Sequence, residues 1–302
     1  MAQKTKSKQA LATAAVVAAA VFWGCMGLFV RRLSAAGLDN LDIALVRTGV
    51  GLLGVGVYLL LFHRDKLRVR PKDLWCFFGT GIVSLLFFTW CYFHAIQATS
   101  LAVAGILLYT APIIVMLLSV ILFREKLTVL KIAALGLAFA GCVLVSGTGS
   151  GEPLTPQALL YGLGAGLGYA LYSIFSRYAV NRGYEAWTIT FYTFVFCVIG
   201  CLPLADLGAI VRCVAADPRM LLWYLAMGLL TAMASYLLYT WALEHLESSR
   251  ASIIASVEPV VAAVAGVVVY HERLGWTSLL GIALVLSAVV LLSLGGKNVN
   301  NP

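Results

Sequence analysis

Long apolar stretches alternate with short polar ones along the whole chain. Ten such stretches cover residues 11–30, 41–62, 74–95, 101–123, 127–147, 157–176, 186–205, 220–243, 251–270 and 275–294. Each is close to the ~20 residues that an α-helix needs to cross the hydrocarbon core of a bilayer. Charged residues, Gly and Pro gather between them, chiefly at 63–73, 147–156 and 206–218. The pattern predicts an all-α integral membrane protein with ten transmembrane helices.

The pattern also occurs twice. Residues 92–127 match residues 239–274 without a gap, so that Tyr92 corresponds to Tyr239 and Pro112 to Pro259. We therefore divide the chain into two repeats, residues 1–150 and 151–302, with five spans each. Because five is an odd number, the second repeat must be inverted in the membrane relative to the first. Inverted repeats with a binding site near the midplane are an architecture of secondary transporters.

Composition changes this picture little. The chain is 62% hydrophobic and 11% charged, whereas soluble domains are about 25% charged. The net charge of +8 comes from basic residues in short segments between apolar stretches, so we expect no nucleic-acid partner. The seven cysteines include no CxxC pair, which argues against a disulfide framework or a metal site. No P-loop, HExxH or GxSxG pattern occurs, so we expect no catalytic residues and no cofactor.

Lysine and arginine are divided unequally between the two sides of the predicted bundle. With the N-terminus inside, the inner segments carry fifteen of them and the outer loops five, while Arg47 lies within a span. Cytoplasmic loops of multi-pass proteins carry the excess of Lys and Arg. We therefore place both termini in the cytoplasm.

Several residues resemble a known family. Phe22-Trp23-Gly24, with Phe29 beyond, is similar to the opening helix of the EamA branch of the drug/metabolite transporter superfamily, and Arg47 fits that family's arginine position. The family's repeat pattern is matched by Ala95, Ser100, Ala104, Pro112, Glu125 and Gly136, and again by Ala242, Ser248, Ala251, Pro259 and Glu272, with Ala283 in place of the later glycine. The resemblance covers nearly the whole chain. It implies a ten-helix exporter of small metabolites, commonly amino acids, in the bacterial inner membrane.

Two ionisable residues lie deep in predicted spans, Arg47 in the second and Glu258 in the ninth. A charge at membrane depth costs several kcal/mol unless it is paired or hydrated. Neither charge recurs in the other repeat, where Thr193 and Ala111 take their places, so repeat symmetry does not explain them. We interpret Glu258 as a substrate-binding residue and Arg47 as a functional intramembrane charge. The alternative for each is a structural bond to a neighbouring helix.

Prolines interrupt corresponding spans of the two repeats. Pro112 and Pro259 lie near the middle of the fourth and ninth spans, and each frees the backbone carbonyl four residues earlier, at Leu108 and Ala255. Paired interruptions in the two halves indicate a transporter's binding site. The alternative is a kink that only aids packing.

Aromatic residues complete the candidate site. Tyr169 and Tyr172 share one helix face, as do Tyr236 and Tyr239, and such rings suit a cavity for amphipathic organic molecules. The alternative for any single ring is a lipid-facing or interfacial position, and for His94 a hydrogen bond at a helix interface. The predicted substrate-binding residues are Trp23, Tyr92, His94, Tyr109, Tyr169, Tyr172, Tyr239 and Glu258.

Two further acidic residues correspond in the repeats. Glu125 and Glu272 each precede a leucine at the start of a predicted helix. We interpret both as N-terminal stabilisers of those helices, because a carboxylate is favoured at the positive end of a helix.

These observations together predict a transporter that exports small metabolites, above all amino acids, by alternating access through a central cavity. Its expected partners are a small-molecule substrate and the lipid bilayer. Two alternatives stay open. Efflux of cationic drugs keeps the fold and changes only the substrate. A membrane-embedded enzyme needs clustered His, Asp or Glu, and this chain offers isolated ones.

The charge distribution gives a testable topology. We expect loop 63–73, with five basic residues, to be cytoplasmic and loop 147–156, with none, to be outside. Single cysteines placed in each loop of a cysteine-free variant are treated in intact cells with a membrane-impermeant thiol reagent. The second loop should be labelled and the first protected. Labelling of the first loop alone reverses the orientation.

Overall fold

The computed structural model describes residues 2–99, 101–146, 155–271 and 274–295, and all regular elements in these ranges are helical. Two shorter α-helices, Ala186–Cys201 and Leu207–Ala216, and a single 3-10 turn, Arg64–Leu67, lie outside the long helices. In chain order the helices are α1 Lys8–Ala35, α2 Asn40–Phe62, α3 Pro71–Ala98, α4 Val103–Phe123, α5 Val129–Ser146, α6 Pro156–Asn181, α7 Ala186–Cys201, α8 Leu207–Ala216, α9 Met220–Leu243, α10 Ser248–Tyr270 and α11 Trp276–Ser293.

Within the described ranges, nine helices are long and apolar enough to cross a membrane, namely all except α7 and α8. The sequence predicts ten spans, and the difference lies in segment 186–205. There α7 stops at Cys201 after 16 residues. Leu202 still has helical backbone angles, but Pro203 follows, and a proline has no N–H to continue the helical hydrogen bonds.

Five of the helices are interrupted. Pro112 and Pro259 each lie in the first turn of a new helical piece, where the missing N–H has no intrahelical partner to lose. The helical pieces begin a few residues before the apolar spans of α1 and α4. They are Ala2–Gly24 and Met26–Ala35 in α1, Leu101–Leu108 and Ala111–Phe123 in α4, and Ser248–Ala255 and Glu258–Tyr270 in α10. The π-helical stretches Gly79–Leu86 and Gly228–Ala234 interrupt α3 and α9.

These backbone irregularities recur at corresponding places in the two halves. In each half the helix before the proline-broken one contains a π-helical stretch, namely α3 before α4 and α9 before α10. Arg124 and His271, at the ends of α4 and α10, both have φ of 55°. Gly37 and Gly183 have φ of 92° and 87°, a region that L-residues with a side chain rarely adopt. The two copies of the repeated sequence therefore depart from regular α-helix at corresponding positions.

Contacts between loops define two ends of the bundle. Asp42, at the start of α2, accepts a hydrogen bond of 2.7 Å from the Asp206 amide, so turn 36–39 and segment 202–219 lie at one end, called the Gly37 end. At the opposite end Lys66 pairs with Glu185 at 2.7 Å. The Glu125 side chain lies there too, and we call this end the Glu125 end.

Polar side chains turn inward and large apolar ones outward. The hydroxyls of Thr80 and Thr193 lie 2.6 Å apart in the interior, and Ser84 donates to the Gly168 carbonyl at 2.7 Å. On the outer surface Trp276 is 86% exposed. Such an arrangement fits hydrocarbon, because a polar group there has no solvent to hydrogen-bond.

The close packing of α5 against α11 depends on two glycines. A Cβ atom on Gly141 would lie 2.7 Å from the Gly281 carbonyl oxygen, and one on Gly281 would lie 2.7 Å from the Gly141 carbonyl oxygen. Small residues allow membrane helices to approach this closely. Gly136, on the same helix, has nothing within 4 Å of such an added atom.

We expect Gly141→Ala to destabilise the protein by about 1–3 kcal/mol, because two backbones must separate to admit the methyl group. Thermal unfolding of purified protein in detergent measures the effect. Gly136→Ala on the same helix is the matched control and should leave the midpoint almost unchanged. Equal midpoints for the two variants would show that the glycine contact does not hold α5 to α11.

Candidate functional site

A cavity with a volume of about 660 Å³ lies between the helices of the two halves. It reaches the Gly37 end, where Arg31 and Tyr270 lie on its rim with the guanidinium 4.4 Å from the ring centre. Its lining comes from α1–α5, α9 and α10, and not from α6. The predicted site residues that line it are Trp23, Arg47, Tyr92, Tyr109, Glu258 and Pro259.

Glu258 lies in the cavity wall at the break of α10. Its carboxylate accepts a hydrogen bond of 3.1 Å from the Tyr169 hydroxyl. A Cβ atom on Gly24 would lie 2.7 Å from the Glu258 carbonyl oxygen, and α1 is itself interrupted at the next residue, Cys25. Two interrupted helices therefore meet beside this carboxylate.

Trp23 lies at the centre of an aromatic cluster next to the cavity. Its ring centre is 5.3 Å from those of Tyr236 and Tyr239 and 6.3 Å from that of Tyr169. The pairs with Tyr169 and Tyr236 are edge-to-face, a geometry that aromatic quadrupoles favour. The pair with Tyr239 is tilted. The cluster joins α1, α6 and α9.

Three predicted tyrosines are in or beside this cluster but do not line the cavity. Tyr169 lies behind Glu258, to which it donates. The Tyr172 hydroxyl lies 2.6 Å from that of Thr240, and the Tyr239 hydroxyl lies 2.8 Å from that of Ser173. Tyr172 and Tyr239 therefore belong to the packed interior on the Glu125 side of the cavity.

His94 and Pro112 also lie away from the cavity lining. The His94 Nδ1 atom is 2.8 Å from the Trp90 carbonyl oxygen, one turn earlier in α3, and its ring packs on those of Trp90 and Tyr161. Pro112 is buried in α4. The structure thus divides the predicted set into residues at the cavity and residues behind it.

Other residues of the site are absent from the predicted substrate-binding set, although the sequence pairs Tyr236 with Tyr239 as rings suited to a cavity. Met26 and Tyr236 contact the Arg47 guanidinium, and small residues of α10 line the cavity after Pro259, namely Ala262, Ala263, Ala265 and Gly266. The spacing of Tyr236 and Tyr239 was a visible signal. Nothing in the sequence marks Met26, since an apolar residue in a span is ordinary.

At the Glu125 end the halves are joined by a buried carboxylate. Glu125 accepts from the backbone amide of Ser248 at 2.8 Å and from that of Ser249 at 3.3 Å, and also from the Ser249 hydroxyl. The prediction that Glu125 stabilises the helix following it is therefore wrong. The left-handed turn at Arg124 ends α4, and the next side chain caps α10 instead. Glu272 lies outside the described residues, as does most of loop 147–156.

Basic side chains complete this junction. The Lys131 ammonium lies 3.6 Å from Glu125 and 2.6 Å from Glu247. Arg177 donates to the Ser248 hydroxyl at 3.1 Å and to the Leu246 carbonyl. Glu125 and Lys131 belong to the first half and the others to the second, so the contacts seal the two halves together opposite the cavity mouth.

A sequence model of the EamA-like transporter family matches residues 10–147 and, a second time, residues 156–294. The chain belongs to the EamA-like transporter family. The resemblance in its sequence is thereby confirmed, and the protein is a multi-pass membrane protein.

Relatives of this EamA-like protein are named as transporters. An uncharacterized transporter of Archaeoglobus fulgidus is 30% identical over 92% of this chain and 94% of its own length. The uncharacterized transporter YxxF of Bacillus subtilis is 26% identical over 95% of this chain and 91% of its own. A solved crystal structure, 21% identical, aligns with a TM-score of 0.72 over 96% of this chain and 99% of its own, which shows a shared fold.

A substitution of Glu125 tests whether this side chain holds the two halves of the EamA-like protein together. Glu125→Ala leaves two α10 amides without a partner, a loss of about 1–3 kcal/mol, and we expect the Glu125 end to open more often. A single cysteine at Ser173, which is 2% exposed, in a cysteine-free variant reports this opening through faster thiol labelling.

Glu244→Ala is the matched control. Glu244 lies at the same end and accepts a hydrogen bond of 2.8 Å from the Ala186 amide, but both residues belong to the second half. It should leave Ser173→Cys as protected as before. Equal acceleration by both changes would mean that Glu125 contributes general stability and does not hold the halves together.

Proposed function

We propose that residues 1–150 and 151–302 form two inverted five-helix repeats. In this arrangement α7 also crosses the membrane and brings the number of spans from nine to ten. Buried residues occur along all of α7, from Thr188 in its first turn to Cys201 at its end. The hydroxyl contact between Thr193 and Thr80 ties it to α3. The paired backbone irregularities support the repeat, and five spans in each half make the second repeat inverted.

This transporter belongs, in our proposal, in the bacterial inner membrane with both termini in the cytoplasm. The Glu125 end then faces the cytoplasm and the Gly37 end faces outward. The basic residues of loop 63–73 lie at the Glu125 end, which is the distribution expected for a cytoplasmic side. In this orientation the cavity is outward-open and the Glu125 junction is a closed inner gate.

The proposed activity is export of small metabolites, specifically amino acids, by alternating access. The observation that carries it is Glu258, a carboxylate at a helix break in the wall of a cavity whose lining, in the part of the chain that the structure describes, extends to the Gly37 end. Alternating access needs a central site that is exposed to one side at a time. The inner gate and the outward cavity together are one of the two states that this cycle requires.

The chemistry of the wall supports an ammonium ligand. Glu258 receives a single hydrogen bond, from Tyr169, and no salt bridge joins it to a basic residue within the described ranges. A carboxylate at this depth is stabilised by a cationic partner. The rings of Trp23, Tyr92 and Tyr109 line the same cavity and suit an apolar side chain.

Efflux of cationic drugs is the second candidate. Glu258 and the aromatic lining favour it as well, since aromatic faces attract organic cations. The two functions differ in one requirement, because an amino acid brings a carboxylate and a cationic drug does not.

We expect Glu258→Gln to lower transport about ten- to hundredfold, since a charge-assisted hydrogen bond to the substrate ammonium is lost while the shape of the side chain is kept. Counterflow into liposomes with a panel of labelled amino acids and cationic drugs measures it. Glu185→Gln, a change of the same kind at the exposed Lys66 pair, is the control and should transport normally.

Transport rate and thermal unfolding, measured on the same variant, separate a role in transport from a role in folding. A structural role for Glu258 predicts a lower unfolding midpoint with an unchanged rate per folded molecule. Unchanged kinetics in a normally folded Glu258→Gln variant would refute the proposed site.

A further inference from the structure

Arg47 is a second charge in the cavity wall, and within the described ranges no anion is in contact with it. It is 7% exposed and lines the cavity from α2. Its counterpart in the other half is Thr193, whose hydroxyl donates a hydrogen bond to the Ile189 carbonyl one turn earlier in α7. The charge is therefore particular to this wall and is not part of the duplicated scaffold.

The two groups that hydrogen-bond to the guanidinium are neutral, and Glu258 attracts it through space without contact. One terminal nitrogen contacts the Met26 sulfur, and the other lies 3.5 Å from the Tyr236 hydroxyl. The buried Nε atom has no hydrogen-bond partner. Within the described ranges no salt bridge joins Arg47 to an acidic residue. An arginine carries five donors and a permanent charge, so most of its binding capacity is unused.

Arg47 and Glu258 stand at opposite ends of one row of rings. Tyr236 lies beside Arg47, Trp23 follows at 5.3 Å between ring centres, and Tyr169 follows at 6.3 Å and donates to Glu258. The two opposite charges thus share a cavity wall without pairing. They attract each other through space, but within the described ranges neither has an oppositely charged group in direct contact.

We infer that Arg47 binds the carboxylate of the substrate while Glu258 binds its ammonium, so that the transporter selects zwitterions. This inference rests on the proposed function of the cavity. The planar fork of an arginine matches a carboxylate with two parallel hydrogen bonds. A cation of the same shape satisfies Glu258 but meets the positive Arg47 without an anion, which is a repulsive element against it. Arg47 is in this way the residue that separates amino acids from cationic drugs.

The native protein provides the first test. Labelled phenylalanine, phenylalaninamide and 3-phenylpropionate share one side chain and carry both charges, the ammonium alone and the carboxylate alone. We expect counterflow kcat/KM for phenylalanine to exceed that of either analogue about tenfold or more. If phenylalanine is not transported, the same three forms of another amino acid from the labelled panel are compared.

Variants of Arg47 give the second test. Arg47→Gln should lower kcat/KM for the amino acid about tenfold or more and leave that for the amide unchanged or higher, so that the preference is lost or reversed. Arg47→Lys keeps the charge and loses the fork, and should give an intermediate preference. Arg212→Gln removes one positive charge at an exposed pair far from the cavity wall and is the control.

The outcomes are distinct. A merely structural Arg47 predicts an equal loss for amino acid and amide, which overturns the inference. Transport of amides and drugs in preference to amino acids by the native protein also overturns it and leaves the cavity as a cation exporter's. Absence of counterflow for every compound of the panel instead refutes the proposed function.

Discussion

Hydrocarbon offers no hydrogen-bond partner, and that constraint governs where every polar group of this protein lies. Charges and unpaired backbone groups are stable at membrane depth only where protein or a water-filled cavity surrounds them. The serines and threonines of the interior meet this demand by bonding one another or helix carbonyls, as Thr80 and Thr193 do. Arg47 and Glu258 meet it in the wall of a cavity.

The backbone irregularities occur in both halves, whereas each of the two buried charges occurs in one half only. Both halves carry the π-helical stretch, the proline break and the left-handed residue at corresponding positions. Glu258 has no acidic counterpart in the first half, because Ala111 occupies the corresponding position. A two-fold scaffold supplies two similar broken helices, and two charges that each occur in one half only lie in the wall of one cavity. This arrangement permits an asymmetric substrate to be held in one orientation.

The two ends of the bundle differ in how they are held. At the Glu125 end a buried carboxylate, two amides of α10 and the flanking basic side chains connect the halves. At the Gly37 end the cavity rim carries a cation–π contact between Arg31 and Tyr270. Three hydrogen bonds from the start of α10 end on the one Glu125 carboxylate, so displacement of this side chain releases the start of that helix from the first half.

The sequence alone determined the membrane class, the internal repeat, the family and the identity of the two buried charges, because each follows from composition, alignment or the cost of charge in hydrocarbon. The helix breaks followed from Pro112 and Pro259 by backbone chemistry. Only the tertiary structure decided which rings reach the cavity. Tyr92 does and its counterpart Tyr239 does not, although their spacing and type are the same. In a membrane protein lipid, cavity and core all favour apolar or aromatic side chains, so hydrophobic periodicity shows that residues share a face and does not show what that face contacts.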